Sequence, residues 1–366
     1  MRFWIVAGGT GGHIYPALAV VQALQDIDPT VSLTWIGGWG GMEEELVARA
    51  GLSFLGIPAG GMHGVGPVRA LRNAWRLLQG TAVAWRYLGD ARPDGILTTG
   101  GYVSGPVAVA ARLRKVPSLV FLPDIEPALS VKFAGKLAAK IAATVEDSRA
   151  FLPSHKVTIT GYPLRREITR WDRASGRKAL GLPLDVPIVL VFGGSRGARS
   201  INRAVVGQLA DLLQVAHVVH ISGTLDWEEV AAARAALPLE LQERYRVISY
   251  LHEEMGAVLA SADLAVSRAG ASILGELPYF GLPAILVPYP YAWRYQKVNA
   301  NWLAQRGAAV VVEDAELLER LAGLVRELLQ DEPRRQAMVR ASLALARPEA
   351  AQKIAGLLLS LGQEGM

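Results

Sequence analysis

Along this chain, short and almost unbroken apolar runs alternate with longer stretches in which apolar residues recur every three or four positions. Unbroken runs suit parallel strands buried on both faces, and the three-to-four spacing suits helices that cover them. The pattern predicts strands near residues 2–7, 31–36, 52–57, 95–99, 117–122 and 141–145. Helices are predicted between them near 14–25, 42–50, 67–89, 104–114 and 130–139. The rhythm then starts again, with strands near 187–192, 216–221, 245–249, 263–267, 284–287 and 309–312. Its helices fall near 199–213, 227–236, 255–261, 271–280, 295–306 and 314–330, and a last helical stretch covers 333–361. Two doubly wound parallel sheets follow from this, with Tyr162-Pro163-Leu164-Arg165 as the crossover. The expected division is a first domain of residues 1–162, completed by the C-terminal helix at about 345–366, and a second of 163–344.

Glycines gather where predicted strands turn into helices. Gly8-Gly9-Thr10-Gly11-Gly12-His13 follows the first strand, and Gly193-Gly194-Ser195-Arg196-Gly197-Ala198 follows the first strand of the second half. Gly100-Gly101-Tyr102-Val103-Ser104-Gly105 and Ser267-Arg268-Ala269-Gly270-Ala271-Ser272 occupy the same kind of turn. In an open α/β sheet such turns bind ligands: backbone N–H groups come close to an anion, and the next helix adds unpaired donors and the positive end of its dipole. A diphosphate fits that chemistry. The alternative is that these glycines only permit tight turns and close helix packing. Neither main loop has the G-x-G-x-x-G pattern with an acidic residue about twenty positions on, which disfavours a dinucleotide. Glu276 lies about a turn and a half into a helix beginning near Ala271, where a carboxylate could accept hydrogen bonds from a ribose. A solvated helix glutamate is the other reading of it.

Composition narrows the partners. With 366 residues the chain is long enough for two cores, and it has no cysteine, which excludes disulfides and thiolate metal sites. The formal net charge of +5 belongs to the first half: residues 1–165 hold 16 Lys/Arg and 11 Asp/Glu, and the remainder holds 22 of each. A basic half favours anionic partners, and without zinc-finger spacing or an aromatic RNA-binding strand, nucleic acid is disfavoured. The chain shows no signal peptide and no apolar run near the ~20 residues of a membrane span, so a soluble or surface-bound protein is expected. Val68, Leu71, Trp75, Leu78, Ala82 and Trp85 form one helical stripe edged by Arg69, Arg72, Arg76 and Arg86. Tryptophan and arginine beside an apolar stripe suit an anionic headgroup interface, and a stripe laid against the sheet with a solvated basic rim is the competing reading.

Taken in order, the four glycine loops, Gly161-Tyr162-Pro163-Leu164-Arg165 and the run through Glu276 resemble the MurG family. That resemblance implies a GT-B glycosyltransferase, with two Rossmann-like domains facing across a cleft. It implies inverting transfer of N-acetylglucosamine from UDP-GlcNAc to undecaprenyl-pyrophosphoryl-MurNAc-pentapeptide, lipid I, giving lipid II for peptidoglycan at the cytoplasmic face of the cell membrane. Thr10, Gly11, Gly12 and His13 would hold the acceptor's pyrophosphate, with Tyr102 and Ser104 lining the acceptor site. Arg165 and Ser195 would face the donor diphosphate, and Arg196 and Gly197 would also contact the donor. Leu251, His252 and Met255 would cradle the uracil, Glu276 would hold the ribose with Ala271 and Ser272 also at the donor, and Gln296, which Asn299 follows, would look toward the sugar. Leu71, Arg72, Trp75, Arg76, Leu78 and Trp85 would meet the membrane.

This chain departs from the family where the sugar and the base belong. The family's His-Glu-Gln-Asn run reads Leu122-Pro123-Asp124-Ile125-Glu126-Pro127 here, its Asp-Arg-Gln-Gln reads Trp293-Arg294-Tyr295-Gln296, and a phosphate-contacting threonine is Ile273. His13, Asp124 and Glu126 therefore stand as candidate bases, and the donor sugar and acceptor stay open. The sole Asp-x-Asp, Asp26-Ile27-Asp28, falls at a helix end away from the loops, so metal-independent transfer without a cofactor is expected. A related lipid-directed transferase, a non-catalytic nucleotide-sugar binder and a nucleotide-sugar epimerase are the alternatives.

Overall fold

A computed structural model describes residues 1–41, 43–61, 66–194, 197–251, 253–291 and 294–364, without the side chains of Pro67, Arg69 and Ala70. The chain divides into two compact units, one of Met1–Arg165 with Pro348–Met366 and the other of Arg166–Arg347.

The first unit is built on a sheet of seven strands among the described residues: β1 Arg2–Ala7, β2 Ser32–Gly38, β3 Ser53–Ile57, β4 Gly95–Gly100, β5 Ser118–Leu122, β6 Lys140–Ala143 and β7 Val157–Ile159. Their order is β3-β2-β1-β4-β5-β6-β7, all parallel. Winding reverses between β1 and β4, which are neighbours in the sheet and far apart in the chain. Five helices belong to this layer: α1 Gly11–Ile27, α2 Glu43–Arg49, α3 Pro67–Ala91, α4 Ser104–Arg114 and α5 Leu129–Leu137. Phe3, Trp4, Ile5 and Val6 are all buried in β1, as helices on both faces of a parallel sheet require. The last helix, Ala350–Glu364, packs on α1, β4 and β5, and Lys140 Nζ meets Glu364 Oε1 at 2.8 Å.

The second unit repeats the plan with β8 Ile188–Phe192, β9 His217–Ile221, β10 Tyr245–Ile248, β11 Leu264–Ser267, β12 Ala284–Leu286 and β13 Ala309–Val311, in the order β10-β9-β8-β11-β12-β13. Here the winding reverses between β8 and β11.

Several predicted elements differ. β7 was not predicted, because three residues carry too little pattern. The helix Arg173–Leu180 was also missed, although Asp172 and Ser175 form a reciprocal capping box at its start. Residues 199–213 are two helices, Arg199–Gly207 and Leu209–Val215. They break at Gln208, whose amide donates to Ala204 O and Leu317 O and accepts the Ala322 N–H. The stretch 333–361 also splits, into Glu332–Ala344 and Ala350–Glu364, around Pro348, which disfavours helix at the residue before it.

Candidate active site

The four glycine loops leave the C-terminal ends of β1, β4, β8 and β11, the strands that flank the two reversals. In an open α/β sheet that is where a crevice forms and ligands bind.

In the first unit the loops after β1 and β4 interlock. Gly100 and Gly101 have φ of 124° and 89°, and any side chain at Gly101 would strike the Gly8 carbonyl. Thr10 stands at the N-cap of α1 in extended conformation without a side-chain cap, so the first-turn N–H groups of α1 keep their positive field. Gly12 is exposed beside it and Gly11 is buried. His13 sits in that first turn. Its Nδ1 lies 3.0 Å from Thr99 O, and Thr99 Oγ1 donates back to His13 O at 2.6 Å. A carbonyl only accepts, so Nδ1 carries the proton and Nε2 keeps its lone pair. Burial pushes the His13 pKa down, outweighing the opposing Thr99 hydrogen bond.

The other first-unit candidates separate. Tyr102 is 53 % exposed next to this loop. Ser104, expected to line the acceptor site, is instead buried, with its hydroxyl 2.6 Å from Thr98 Oγ1, because it begins α4 against the core. Asp124 and Glu126 are partly buried in the loop after β5, around the buried Ile125. Thr144 Oγ1 fixes the start of that loop through Leu122 O and Pro123 O. The Arg165 guanidinium lies over the Tyr15 ring, 4.2 Å from its centroid.

In the second unit Gly197 has φ 80°, and a Cβ there would collide with Ser222 O. Ser195, Arg196, His252 and Trp293 lie outside the described residues. Leu251 lies in the loop after β10, and Met255 opens the helix Met255–Ser261. After β11, Ala271 and Ser272 precede a helix that begins at Ile273, later than expected, so Glu276 occupies the first turn. Ser272 Oγ donates to Glu276 Oε2 at 2.9 Å, and the dipole favours the carboxylate there. Gln296 Oε1 accepts the Tyr289 N–H at 2.9 Å.

Arg268, which has no predicted role, and Asn299 hold this loop. Arg268 donates to Asp314, Ser200 and Val287 O, and buried Asn299 donates to Ala269 O at 3.1 Å. Their side chains meet residues distant in sequence, which no local pattern reports.

The stripe on α3 faces outward. Leu71 is 76 % and Trp75 61 % exposed, with Val68, Leu78 and Trp85 exposed beside them and Arg72, Arg76 and Arg86 along the edge. The competing reading, a stripe laid against the sheet, is overturned. α3 instead buries Asn73, Gly80, Ala84 and Leu88, small side chains apart from the last, because α4 and Pro58 come close. The Arg114 guanidinium covers Trp85 at 3.6 Å. Arg112, Lys115, Lys136 and Lys156 line a cavity of about 470 Å³ near the start of β5.

The N-terminal domain of glycosyltransferase family 28 matches residues 3–143, and the C-terminal domain of that family matches residues 188–354. Similar curated proteins include one from Roseiflexus sp. (strain RS-1), 42% identical over 99% of this chain and 95% of that protein. Another, from Desulforudis audaxviator (strain MP104C), is 36% identical over the full length of both. Each is named UDP-N-acetylglucosamine--N-acetylmuramyl-(pentapeptide) pyrophosphoryl-undecaprenol N-acetylglucosamine transferase. Among solved structures, Acinetobacter baumannii MurG aligns with a TM-score of 0.74 at 26% identity, covering 98% of this chain and 99% of that one. The UDP-GlcNAc 2-epimerase from Neisseria meningitidis shares the fold, at 15% identity and a TM-score of 0.70, over 98% of this chain and 100% of that one.

Proposed function

The chain belongs to the MurG family of family 28 glycosyltransferases, and on that premise we propose how its two GT-B units divide the work. The enzyme transfers N-acetylglucosamine from UDP-GlcNAc to undecaprenyl-pyrophosphoryl-MurNAc-pentapeptide, making lipid II for peptidoglycan. The first unit takes the acceptor and the second the donor. The observation that carries this is the match of both halves, at 42% identity over 99% of the chain, to a transferase of that name.

In the proposed reaction, Nε2 of His13 takes the proton from the acceptor hydroxyl as that oxygen attacks the anomeric carbon. The bond from that carbon to the diphosphate breaks, UDP leaves, and the anomeric centre inverts. The α1 amides, Thr10 and Gly12 hold the acceptor's pyrophosphate, with Tyr102 at its side. Gly197, the start of the helix after it and Arg165 stabilise the departing diphosphate, while Leu251 and Met255 flank the uracil and Glu276 takes the ribose hydroxyls. Gln296 turns its amide nitrogen toward the donor sugar, since its oxygen is held by Tyr289. Asp26 lies in the last turn of α1 and Asp28 is its C-cap, hydrogen-bonded to Thr30, so this acidic pair supports no metal role. UDP release from UDP-GlcNAc with a lipid I analogue is expected to persist in excess EDTA and to exceed release from UDP-Gal or UDP-Glc by about tenfold or more. Equal release from all three donors would refute the sugar assignment, and loss of activity restored by Mg²⁺ would refute the metal-independent step.

The exposed face of α3 docks on an anionic membrane surface, at the cytoplasmic side where UDP-sugars are made. The support is a run of exposed large apolar side chains with an arginine edge, a combination that monomeric surfaces seldom carry. Among the described residues no helix is long and apolar enough to cross a membrane. Trp75→Glu is expected to cut binding to anionic vesicles about tenfold or more, since it removes one buried indole and adds a repelled charge. Its melting temperature should match the parent's because Trp75 packs on no core. Unchanged vesicle binding would remove α3 from the membrane face.

A further inference from the structure

Glu43 opens α2 and is 1 % exposed, while Glu44 and Glu45 beside it face solvent. A buried carboxylate is costly unless it is paired. Among the described residues no Lys, Arg or His pairs with this one. Its oxygens accept two backbone N–H groups instead, Gly38 at 2.8 Å on Oε1 and Gly9 at 3.3 Å on Oε2. The space around it is made of absent side chains: a Cβ at Gly8 would stand 2.5 Å from Oε1, one at Gly37 would stand 2.8 Å from Cγ, and one at Gly41 would overlap both oxygens. Gly8, which reads as a phosphate-approach residue, thus makes room for a carboxylate.

We propose that Glu43 is a positioning residue for the acceptor loop. Its carboxylate clamps the loop of residues 8–13 to the loop of residues 37–41, and so fixes where His13 and the first-turn amides of α1 stand. The clamp reaches the base through short steps. Gly9 is bound directly, Gly8 lies backbone to backbone against Gly101, and Gly100 lies against the His13 ring. It also sorts the amides. The Gly9 N–H is committed to Glu43, which leaves the amides at the start of α1 to meet a phosphate. This inference rests on the proposed use of the loop for the acceptor.

Glu43→Gln tests it, because the amide has nearly the same shape but only one accepting oxygen. Its NH₂ must face one of the two N–H donors, so one of the two hydrogen bonds is lost. In the full chain, amide exchange at Gly9 or Gly38 is expected to quicken about tenfold, with exchange in the second-unit sheet unchanged. The kcat/KM for the acceptor should fall about tenfold while UDP affinity holds. Glu43→Asp keeps the charge but draws it back, and should show the same split more weakly. If Glu43→Gln fails to fold, the Asp variant carries the test alone. Parent-like exchange at both glycines overturns the clamp. Faster exchange with unaltered acceptor kinetics leaves the clamp standing and overturns the acceptor reading of the loop. A fall in UDP affinity matching the fall in acceptor kinetics marks a general structural loss and also overturns the positioning role.

Discussion

His13→Ala is expected to lower kcat by about 10²- to 10⁴-fold, the usual worth of a general base, while UDP affinity stays within about twofold. The Thr99 carbonyl fixes Nδ1 as the protonated nitrogen, which leaves Nε2 as the basic one. Burial holds the ring's pKa below its ordinary 6.5, so at neutral pH the neutral, basic form predominates. The pH dependence follows from that sign. In the parent, kcat/KM for the acceptor should stay level through neutrality and fall only in acid, below pH 6.5, as the imidazole protonates. In His13→Ala this acid limb should disappear along with most of the rate. UDP affinity is spared because the proposed uridine and diphosphate contacts, Arg165 apart, lie in the other unit. Turnover near the parent's would eliminate His13 as base. Asp124→Asn and Glu126→Gln would then show which carboxylate holds the role, since both sit in a loop at the same sheet end.

The sequence makes the fold legible because a buried parallel strand has a plain signature. Val189, Leu190, Val191 and Phe192 have no polar position to alternate with, and β8 forms there. The glycine loops are legible for the same local reason: strand, φ-permissive turn and helix start follow one another directly. Elements that depend on distant partners are not. Gln208 breaks a helix through contacts with Leu317 and Ala322, more than a hundred residues away. Ser104 reads as a site residue through the family resemblance, and only the fold shows its hydroxyl turned onto Thr98. The α3 stripe is the most instructive case. Periodicity identifies an apolar face, but it does not say which face is buried. Gly80 and Ala84 form the inward side because a close neighbour leaves no room for larger residues, and the large side chains are left outside. Glu43 reads as one of three glutamates at a helix start, and the five glycines at positions 8, 9, 37, 38 and 41 disclose its burial only once their loops are brought together.

The second unit is expected to lose about 3 kcal/mol of stability between pH 7 and pH 4 through one residue, His220. This side chain is fully buried in β9, with Nδ1 2.8 Å from Tyr245 Oη and Nε2 3.0 Å from Asn202 Oδ1. Asn202 uses both amide hydrogens elsewhere, on Ser222 O and Asp226 Oδ2, so its oxygen faces the histidine and Nε2 carries the proton. Nδ1 then accepts from the Tyr245 hydroxyl, whose own pKa burial pushes up. Burial pushes the His220 pKa down to about 3. The folded value lies below the unfolded 6.5, so the stabilisation is complete above pH 6.5. It drains away as pH falls from there through about 3, because the unfolded chain takes up the proton first. The network ends at Asp226, which binds Arg199 at the head of the helix after the proposed diphosphate loop, and because His220 stays neutral in the fold down to about pH 3, UDP affinity should not change through it between pH 7 and pH 4. His220→Gln removes the titrating group. It costs stability at pH 7, but the gap between variant and parent should narrow by about 3 kcal/mol by pH 4, read from amide-exchange free energies in β8 and β9. Parallel pH curves for the two proteins would mean that His220 does not stay neutral in the fold, and the hydrogen directions assigned along Tyr245, His220 and Asn202 would be wrong.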